Sequence, residues 1–118
     1  MMEPIFGQNG KVVAWRNGTN IHALDGKHMA VLNGGSLYGH RGQHLGRVAG
    51  GLFRDHAGAV VAFEAGAKGG PVLPIASIPP IPPIPAIPPV PAIPSIPPIA
   101  PIPSLKWSAM NWQGYLNQ

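Results

Sequence analysis

Glycine recurs every eight residues over the first part of the chain, and no other feature of the sequence constrains the fold as strongly. The period is unbroken over eight glycines, so this part of the chain divides into units of 16 residues. A fixed period of this kind indicates one supersecondary unit repeated in tandem. The glycines are Gly10, Gly18, Gly26, Gly34, Gly42, Gly50, Gly58 and Gly66.

Four segments align on this period without a gap: 5–20, 21–36, 37–52 and 53–68. In each of them the first and ninth positions are apolar and the tenth is small. The third position is small in three copies and is Asp55 in the fourth. Alternating apolar positions between turn residues predict strands of about five or six residues. Each unit is therefore predicted to be a β-hairpin.

The two glycine columns are assigned to the two connections of each unit. Asn9-Gly10 is a strong signal for a two-residue hairpin turn, in which glycine supplies the positive φ. The second column is assigned to looser connections between the hairpins. A two-residue turn at Asn9-Gly10 sets Gly7 opposite Val12 and Ile5 opposite Ala14. These four columns hold mainly small and apolar residues, so this face is predicted to point inward.

Eight short antiparallel strands laid out flat would leave two open edges. Fourfold repetition makes ring closure geometrically simple, and closure removes both edges. The predicted fold is all-β: four tandem 16-residue β-hairpin repeats that close into a short pseudo-fourfold, eight-stranded barrel within residues 1–70.

On these residues the sequence resembles the four-fold beta-flower domains, an uncharacterised family found mainly in bacterial proteins. The resemblance covers residues 5–68 and rests on the repeated apolar–x–small–x–x–Gly–x–x–apolar–small pattern. The tail, with Trp107-Ser108, Trp112 and Leu116, is similar to a recurring ending of the family. The resemblance implies a fold similar to a shortened tubby-like barrel, a class associated with membrane lipids, although a shared fold is weak support for a shared function.

Residues 71–104 form a Pro/Ile-rich segment without a charged residue, and it holds fifteen of the 16 prolines. Proline blocks both helices and central strands, so polyproline II is the predicted conformation. At about 3.1 Å per residue such a segment would reach roughly 100 Å. It is interpreted as a semi-rigid spacer. Its nine isoleucines leave two alternatives open, packing along an apolar groove and association with other copies.

Residues 105–118 are predicted to contain a short helix, with Ser108 as its N-cap. Trp112, Tyr115 and Leu116 follow at i, i+3 and i+4 and would form one apolar face. A helix of two turns is unstable alone, so we expect these residues, together with Trp107, to order only by docking. The docking surface is either the open end of the chain's own barrel or a partner.

The sequence lacks the motifs of common catalytic chemistry. There is no cysteine, and no nucleophile elbow, P-loop or metalloprotease helix, so neither an enzyme nor a cofactor is expected. The net charge of +4 favours anionic partners, but the basic residues are scattered, which argues against nucleic acid. No signal peptide or transmembrane segment is predicted, so a cytoplasmic location is expected.

Histidine is the one residue type that suggests site chemistry. His28 and His44 share one column of the repeat, and His40 and His56 share another, and ring symmetry is expected to bring each pair near the other. Imidazole is a good metal ligand, but no ligand-spacing motif is present and no metal ligand is assigned. Asp55 breaks a small-residue column and joins His28 and His44 as a candidate ligand-facing residue.

Three functions follow from these patterns. The leading hypothesis is a non-enzymatic binding or scaffolding module of unknown ligand. The second is a lipid or membrane-surface module, favoured by the net charge and by Trp107, Trp112 and Tyr115. The third is a barrel that binds metal through paired histidines. The expected partner is a protein or a lipid, and a homo-oligomer is compatible with all three.

Overall fold

A computed structural model describes residues 2–118, and it confirms the predicted all-β closed barrel. Eight antiparallel strands follow one another around the barrel in chain order, and the last strand pairs back to the first. None of the described residues belongs to a helix of the length and apolarity that crossing a membrane requires. The elements are β1 (Met2–Phe6), β2 (Val12–Asn17), β3 (Asn20–His22), β4 (His28–Asn33), β5 (Ser36–Tyr38), β6 (His44–Ala49), β7 (Leu52–Arg54), β8 (Val60–Glu64) and α1 (Trp112–Leu116).

The first connection of each repeat is not the predicted two-residue turn. Gly10 N donates to Gly7 O at 3.0 Å, and Gly7 N donates to Lys11 O at 2.8 Å. This is a three-residue loop in which a turn is followed by a glycine at positive φ, with φ of 80° at Gly10. The other three repeats form the same pair of hydrogen bonds. We call the four connections the loop end of the barrel.

The two-residue turns lie instead at the second glycine column, which was predicted to form looser connections. Asn33 pairs with Ser36 across Gly34-Gly35, and both glycines have positive φ. That combination is typical of a type I′ turn, whose twist matches the strands that it joins. The segments that precede the longer loops are shortened, so β3, β5 and β7 have three residues each rather than five or six.

A β-bulge at the same place in every repeat alters the predicted inward face. Ile5 pairs with Ala14 as predicted, but Phe6 rather than Gly7 pairs with Val12. The extra residue, Val13, therefore points inward together with Ala14. Ala14 belongs to the main core cluster, and the partly buried Val13 packs against it. The Val12 column faces outward, so the prediction that it lines the interior is wrong. The cause is the longer loop, which shifts the register by one residue.

The interior pairs large with small side chains. One column holds large apolar residues and the column opposite holds alanine or glycine, which lets four equivalent strand pairs approach a common axis. Gly46 replaces the alanine of the other copies because a Cβ there would collide with the Tyr115 hydroxyl and the Arg54 carbonyl. The fully buried residues of the two columns are Ile5, Ala14, Ile21, Ala30, Leu37, Phe53 and Ala62.

Helix α1 closes the loop end of the barrel. Trp112, Tyr115 and Leu116 are buried in the main core cluster, and the Tyr115 hydroxyl donates to the Arg54 carbonyl at 3.0 Å. The helix begins after Asn111, whose Oδ1 accepts from the Gly114 amide at 2.8 Å. The prediction of Ser108 as the N-cap is therefore wrong. Ser108 follows Trp107, which forms a parallel bridge with Val60 of β8, and the Ser108 amide donates to the Val60 carbonyl at 2.7 Å.

Residues 71–106 encircle the barrel instead of extending from it as a spacer, and we call them the belt. Four belt amides donate to four loop-end carbonyls at 2.8–3.1 Å. The donors are nine residues apart and the acceptors 16 apart, so nine belt residues serve each barrel repeat. The pairs are Ser77 with Gly10, Ala86 with Gly26, Ser95 with Gly42, and Ser104 with Gly58.

Substitution of one loop-end glycine tests the docking of the belt. Gly26→Ala and Gly34→Ala both place a side chain at positive φ, which costs about 1–2 kcal/mol. Only Gly26→Ala also drives a Cβ into the Ile84 carbonyl of the belt, since nothing lies within 4 Å of Gly34. We expect Gly26→Ala to be the more destabilising and to remove hydrogen-exchange protection from the Ala86 amide. Unchanged protection of Ala86 in Gly26→Ala would show that the belt does not dock here.

Truncation of the helix tests whether the tail belongs to the core. Trp112→Ala should lower the free energy of unfolding by about 3–5 kcal/mol, as for other buried tryptophans. Gln113→Ala, an exposed change in the same helix, is the matched control and should leave stability within about 0.5 kcal/mol. Chemical denaturation followed by circular dichroism measures both. Equal stability of the two variants would contradict burial of the helix in the barrel.

Candidate functional site: the belt and the histidine pairs

The belt exposes an unbroken line of aliphatic side chains at every third residue. Polyproline II has three residues per turn, so this spacing puts all of them on one face of the segment. Their relative exposures run from 71% to 98%, and a monomeric protein rarely leaves so long an apolar surface in water. We call this feature the aliphatic ring; it consists of Val72, Ile75, Ile78, Ile81, Ile84, Ile87, Val90, Ile93, Ile96, Ile99, Ile102 and Leu105.

Cations lie next to the aliphatic ring. Lys11, Lys27 and Arg41 are exposed in the loops that hold the belt, and Lys106 is exposed where the belt ends. Of the described acidic residues in these loops, Asp25 and Asp55 have carboxylates that accept from turn amides. The loop end therefore carries a net positive charge.

The opposite mouth of the barrel differs in its chemistry. Arg16 Nη1 and Glu64 Oε1 form a salt bridge of 2.8 Å there, and Glu3 also lines the opening. Acidic side chains outnumber basic ones in the lining of this mouth, whereas basic side chains outnumber acidic ones beside the aliphatic ring.

Asp55 does not face a ligand. Its Oδ1 accepts from the amides of Ala57 and Ala59 at 2.9 Å, and its Oδ2 accepts from the Ser108 hydroxyl at 2.5 Å. In the first repeat the corresponding acceptor is Asn9, and the fourth repeat has Ala57 at that position. Asp55 thus replaces the missing turn acceptor and also holds the tail beside β8.

Each histidine of one column pairs with a histidine of the other column. His28 Nδ1 lies 2.8 Å from His40 Nε2, and His44 Nδ1 lies 2.9 Å from His56 Nε2. These partners meet because β4 and β5 are neighbours, with Val31 opposite Tyr38, and this register carries the next loop back alongside the start of β4.

Each histidine pair holds a defined arrangement of hydrogens. Asn20 Oδ1 only accepts, so the His28 Nε2–H donates to it at 2.9 Å. Nδ1 of neutral His28 then accepts from the His40 Nε2–H. In the next repeat, Ser36 Oγ lies 3.0 Å from His44 Nε2, in the place of Asn20. Within residues 2–118, no three His, Cys, Asp or Glu side chains are grouped as metal ligands.

Burial and neighbouring charges shift the pKa values of three side chains at this end of the barrel. Burial, followed by His40 and His22, holds the pKa of His28 below its ordinary value. Burial is also the largest cause that lowers the pKa of His44, and the charges of His56 and Arg47 add to it. Burial, followed by Asp55, raises the pKa of the Tyr115 phenol, so the hydroxyl that closes the barrel mouth stays neutral.

A column of outward-facing residues fills the space between barrel and belt. Trp15 faces outward yet is only 2% exposed, and Phe63 packs with Leu73 of the belt. Arg47 Nη2 donates to the Pro98 carbonyl of the belt. The second repeat has the smaller Val31 in this column.

A pocket of about 290 Å³ lies between the second repeat and the belt, beside Val31. The His28–His40 pair forms one wall and belt prolines form another. The lining residues are Thr19, Asn20, His28, Val31, Leu32, Asn33, Tyr38, Gly39, His40, Pro88, Pro89, Val90, Pro91, Ala92 and Pro94.

The tail residues predicted to dock occupy two surfaces. Trp107 is half-buried outside the barrel, with its ring centroid 6.3 Å from that of Phe63, in a cluster that includes Phe6 and Leu73. The other three, Trp112, Tyr115 and Leu116, lie inside the barrel mouth.

The sequence patterns did not predict the aliphatic ring, although the Pro-rich segment carries a signal for it. The Pro-rich segment itself repeats every nine residues, in the four copies 71–79, 80–88, 89–97 and 98–106. Each copy begins with proline, has isoleucine at its fifth position, and has serine or alanine at its seventh, where an N–H must donate. Four short repeats that match four long ones indicate one contact of this segment with each barrel repeat.

These features assign the chain to a class, that of small closed barrels built from four hairpin repeats. The family described as "4-fold beta flower protein" matches residues 3–116, and the chain belongs to that family. The match includes the belt and α1 as well as the barrel, so it extends beyond the residues that carried the resemblance. Neither a curated protein nor a solved structure matches the chain.

The histidine pairs predict a loss of stability in mild acid. The pKa of His28 and of His44 lies below the ordinary value of 6.5 in the folded protein, so the unfolded chain binds more protons below that pH. The free energy of unfolding should therefore decrease as the pH falls through about 6.5 and on to the folded pKa values. Denaturation curves at several pH values measure this slope.

The double variant His28→Asn, His44→Asn is the comparison. Its unfolding free energy should vary less with pH over the same window. A difference in unfolding free energy that is the same at every pH reports lost hydrogen bonds. Only a difference in the slope of the unfolding free energy against pH reports titration. Equal slopes would contradict the assignment of acid sensitivity to these two side chains.

Proposed function

We propose that this chain is a non-enzymatic binding module that attaches to anionic membrane surfaces through its loop end. The aliphatic ring is the observation that carries the proposal. Its twelve side chains point away from the barrel they surround, and no described residue covers them. Aliphatic residues that lie beside exposed lysine and arginine are typical of proteins that bind at the lipid headgroup boundary.

The shape of the molecule supports this mode of attachment. The chain is a disc with principal extents of 36 × 36 × 21 Å. Four equivalent carbonyls hold the belt, so the aliphatic ring runs at one level around the disc. When the loop end faces a bilayer, all parts of the ring reach a similar depth. Full burial of one such side chain is worth about 1.5–3 kcal/mol, so shallow insertion of several is sufficient for attachment.

Charge adds to this attraction. Lys11, Lys27, Arg41 and Lys106 lie at the loop end, and each cation close to an anionic bilayer contributes about 1 kcal/mol. The same charges oppose pairing of two copies through their loop ends, because like charges would meet. The uniform chemistry of the ring also fits a fluid acyl layer better than a shaped protein surface, which combines an apolar centre with a polar rim.

The basis of this proposal differs from that of the membrane hypothesis drawn from sequence. That hypothesis relied on Trp107, Trp112 and Tyr115 as interfacial aromatics. Trp112 and Tyr115 are buried in the barrel mouth, and Trp107 packs against Phe63. The aliphatic ring takes the place of these aromatics as the apolar part of the binding surface.

Sedimentation with vesicles tests the proposal on the full chain. Vesicles of phosphatidylserine and phosphatidylcholine should bind the wild-type protein, and the variant Ile78→Ser, Ile87→Ser, Ile96→Ser should bind at least about tenfold more weakly. These three side chains are 93–95% exposed, so the variant should fold normally. Binding should also weaken with salt, as expected for exposed charges.

Matched changes at the other end of the barrel are the control. The variant Ala49→Ser, Ala65→Ser alters two exposed residues beside the turns opposite the loop end and should bind like the wild type. Absence of wild-type binding to anionic vesicles at low salt would overturn the proposal. So would equal binding by the isoleucine variant and the wild type.

A further inference from the structure

We propose that the pocket beside Val31 binds a small carboxylate with an apolar body. The pocket lies between β4, β5 and the belt. This inference does not depend on membrane attachment, because the pocket shares only Val90 with the aliphatic ring.

The pseudo-symmetry of the barrel shows that the pocket is a departure from the repeat. Three of the four repeats fill the corresponding space with a large side chain: Trp15, Arg47 or Phe63. Val31 is the small exception, and the pocket occurs at that repeat. The belt keeps its attachments on both sides, through Ala86 and Ser95, so it spans the space without collapsing into it.

The polar wall of the pocket is suited to an anion. His40 donates its Nε2–H to His28, and His40 Nδ1 has no hydrogen-bond partner among the described residues. When His40 is protonated, Nδ1–H becomes a donor for a ligand carboxylate. The Thr19 hydroxyl and the Asn33 amide are further donors, and none of the described lining residues is acidic.

The surroundings of the histidine pair reinforce this preference. On the far side of the His28–His40 pair, a neighbouring depression is lined by Lys27 and Arg41. These cations favour negative charge close to the pair.

The remaining walls define the rest of the ligand. Tyr38, Val31 and the belt prolines Pro88 and Pro91 present apolar surface. The volume of about 290 Å³ equals that of roughly ten water molecules, at about 30 Å³ each. A ligand with one carboxylate and a compact ring or short aliphatic body fits that volume, and benzoate is a suitable probe.

The third repeat supplies an internal control. It has an equivalent imidazole pair, His44 and His56, at almost the same separation. There Arg47 occupies the space by reaching across to the belt carbonyl of Pro98. A ligand that needs both the imidazole pair and the open space should therefore bind at the second repeat alone.

Imidazole NMR on the full chain tests the inference. Titration with benzoate in mildly acidic buffer should give saturable shifts of the His28 and His40 ring nitrogens and leave those of His44 and His56 unchanged. Benzamide, which has a similar shape but no charge, should give no saturable shift. Equal shifts at both histidine pairs, or equal effects of benzoate and benzamide, would overturn the proposal.

Variants at Val31 separate pocket binding from contact with an exposed histidine. Val31→Phe introduces the residue that fills the fourth repeat and should abolish the saturable shifts, whereas Val31→Ala should retain them. Unchanged His44 and His56 signals verify that each variant is folded. If Val31→Phe does not fold, His40→Asn replaces it and should abolish the shifts of His28. Undiminished binding in Val31→Phe, or in His40→Asn, would rule out the pocket.

Discussion

The hydrogen bond between a belt amide and the carbonyl of a loop-end glycine is the contact on which the rest of the structure depends. Each glycine adopts a positive φ to close its loop and, lacking a Cβ, leaves room for the belt backbone. Because the contact occurs four times at equal intervals, it sets the path of the belt. The aliphatic ring and the pocket beneath the belt both follow from that path.

Departures from the fourfold pattern carry much of the specific chemistry. Gly46 makes room for Tyr115, which closes the barrel mouth, and Asp55 holds the tail beside β8. Val31 leaves open a space that the other copies fill. A repeat makes such positions visible, since three copies define what the fourth would otherwise contain.

Sequence patterns predicted the barrel and the large inward column of Ile5, because an eight-residue glycine period and alternating apolar positions are local signals. They misplaced the Val12 column because Asn9-Gly10 fits both a two-residue turn and the longer loop, and only strand pairing distinguishes these. The partner of each histidine was not specified by the sequence, for a related reason. A column of the repeat places His28 and His44 in equivalent positions, whereas contact depends on which strands are neighbours.

By itself, the sequence determined the number of repeats, the strand order and the need for glycine at the loop ends, since these follow from local conformation and from the removal of open sheet edges. Only the tertiary structure decided that residues 71–106 encircle the barrel. A polyproline II segment makes no hydrogen bonds within itself, so its position depends on acceptors elsewhere in the chain. The loop-end carbonyls supply those acceptors, and they come together in a ring only after the barrel has closed.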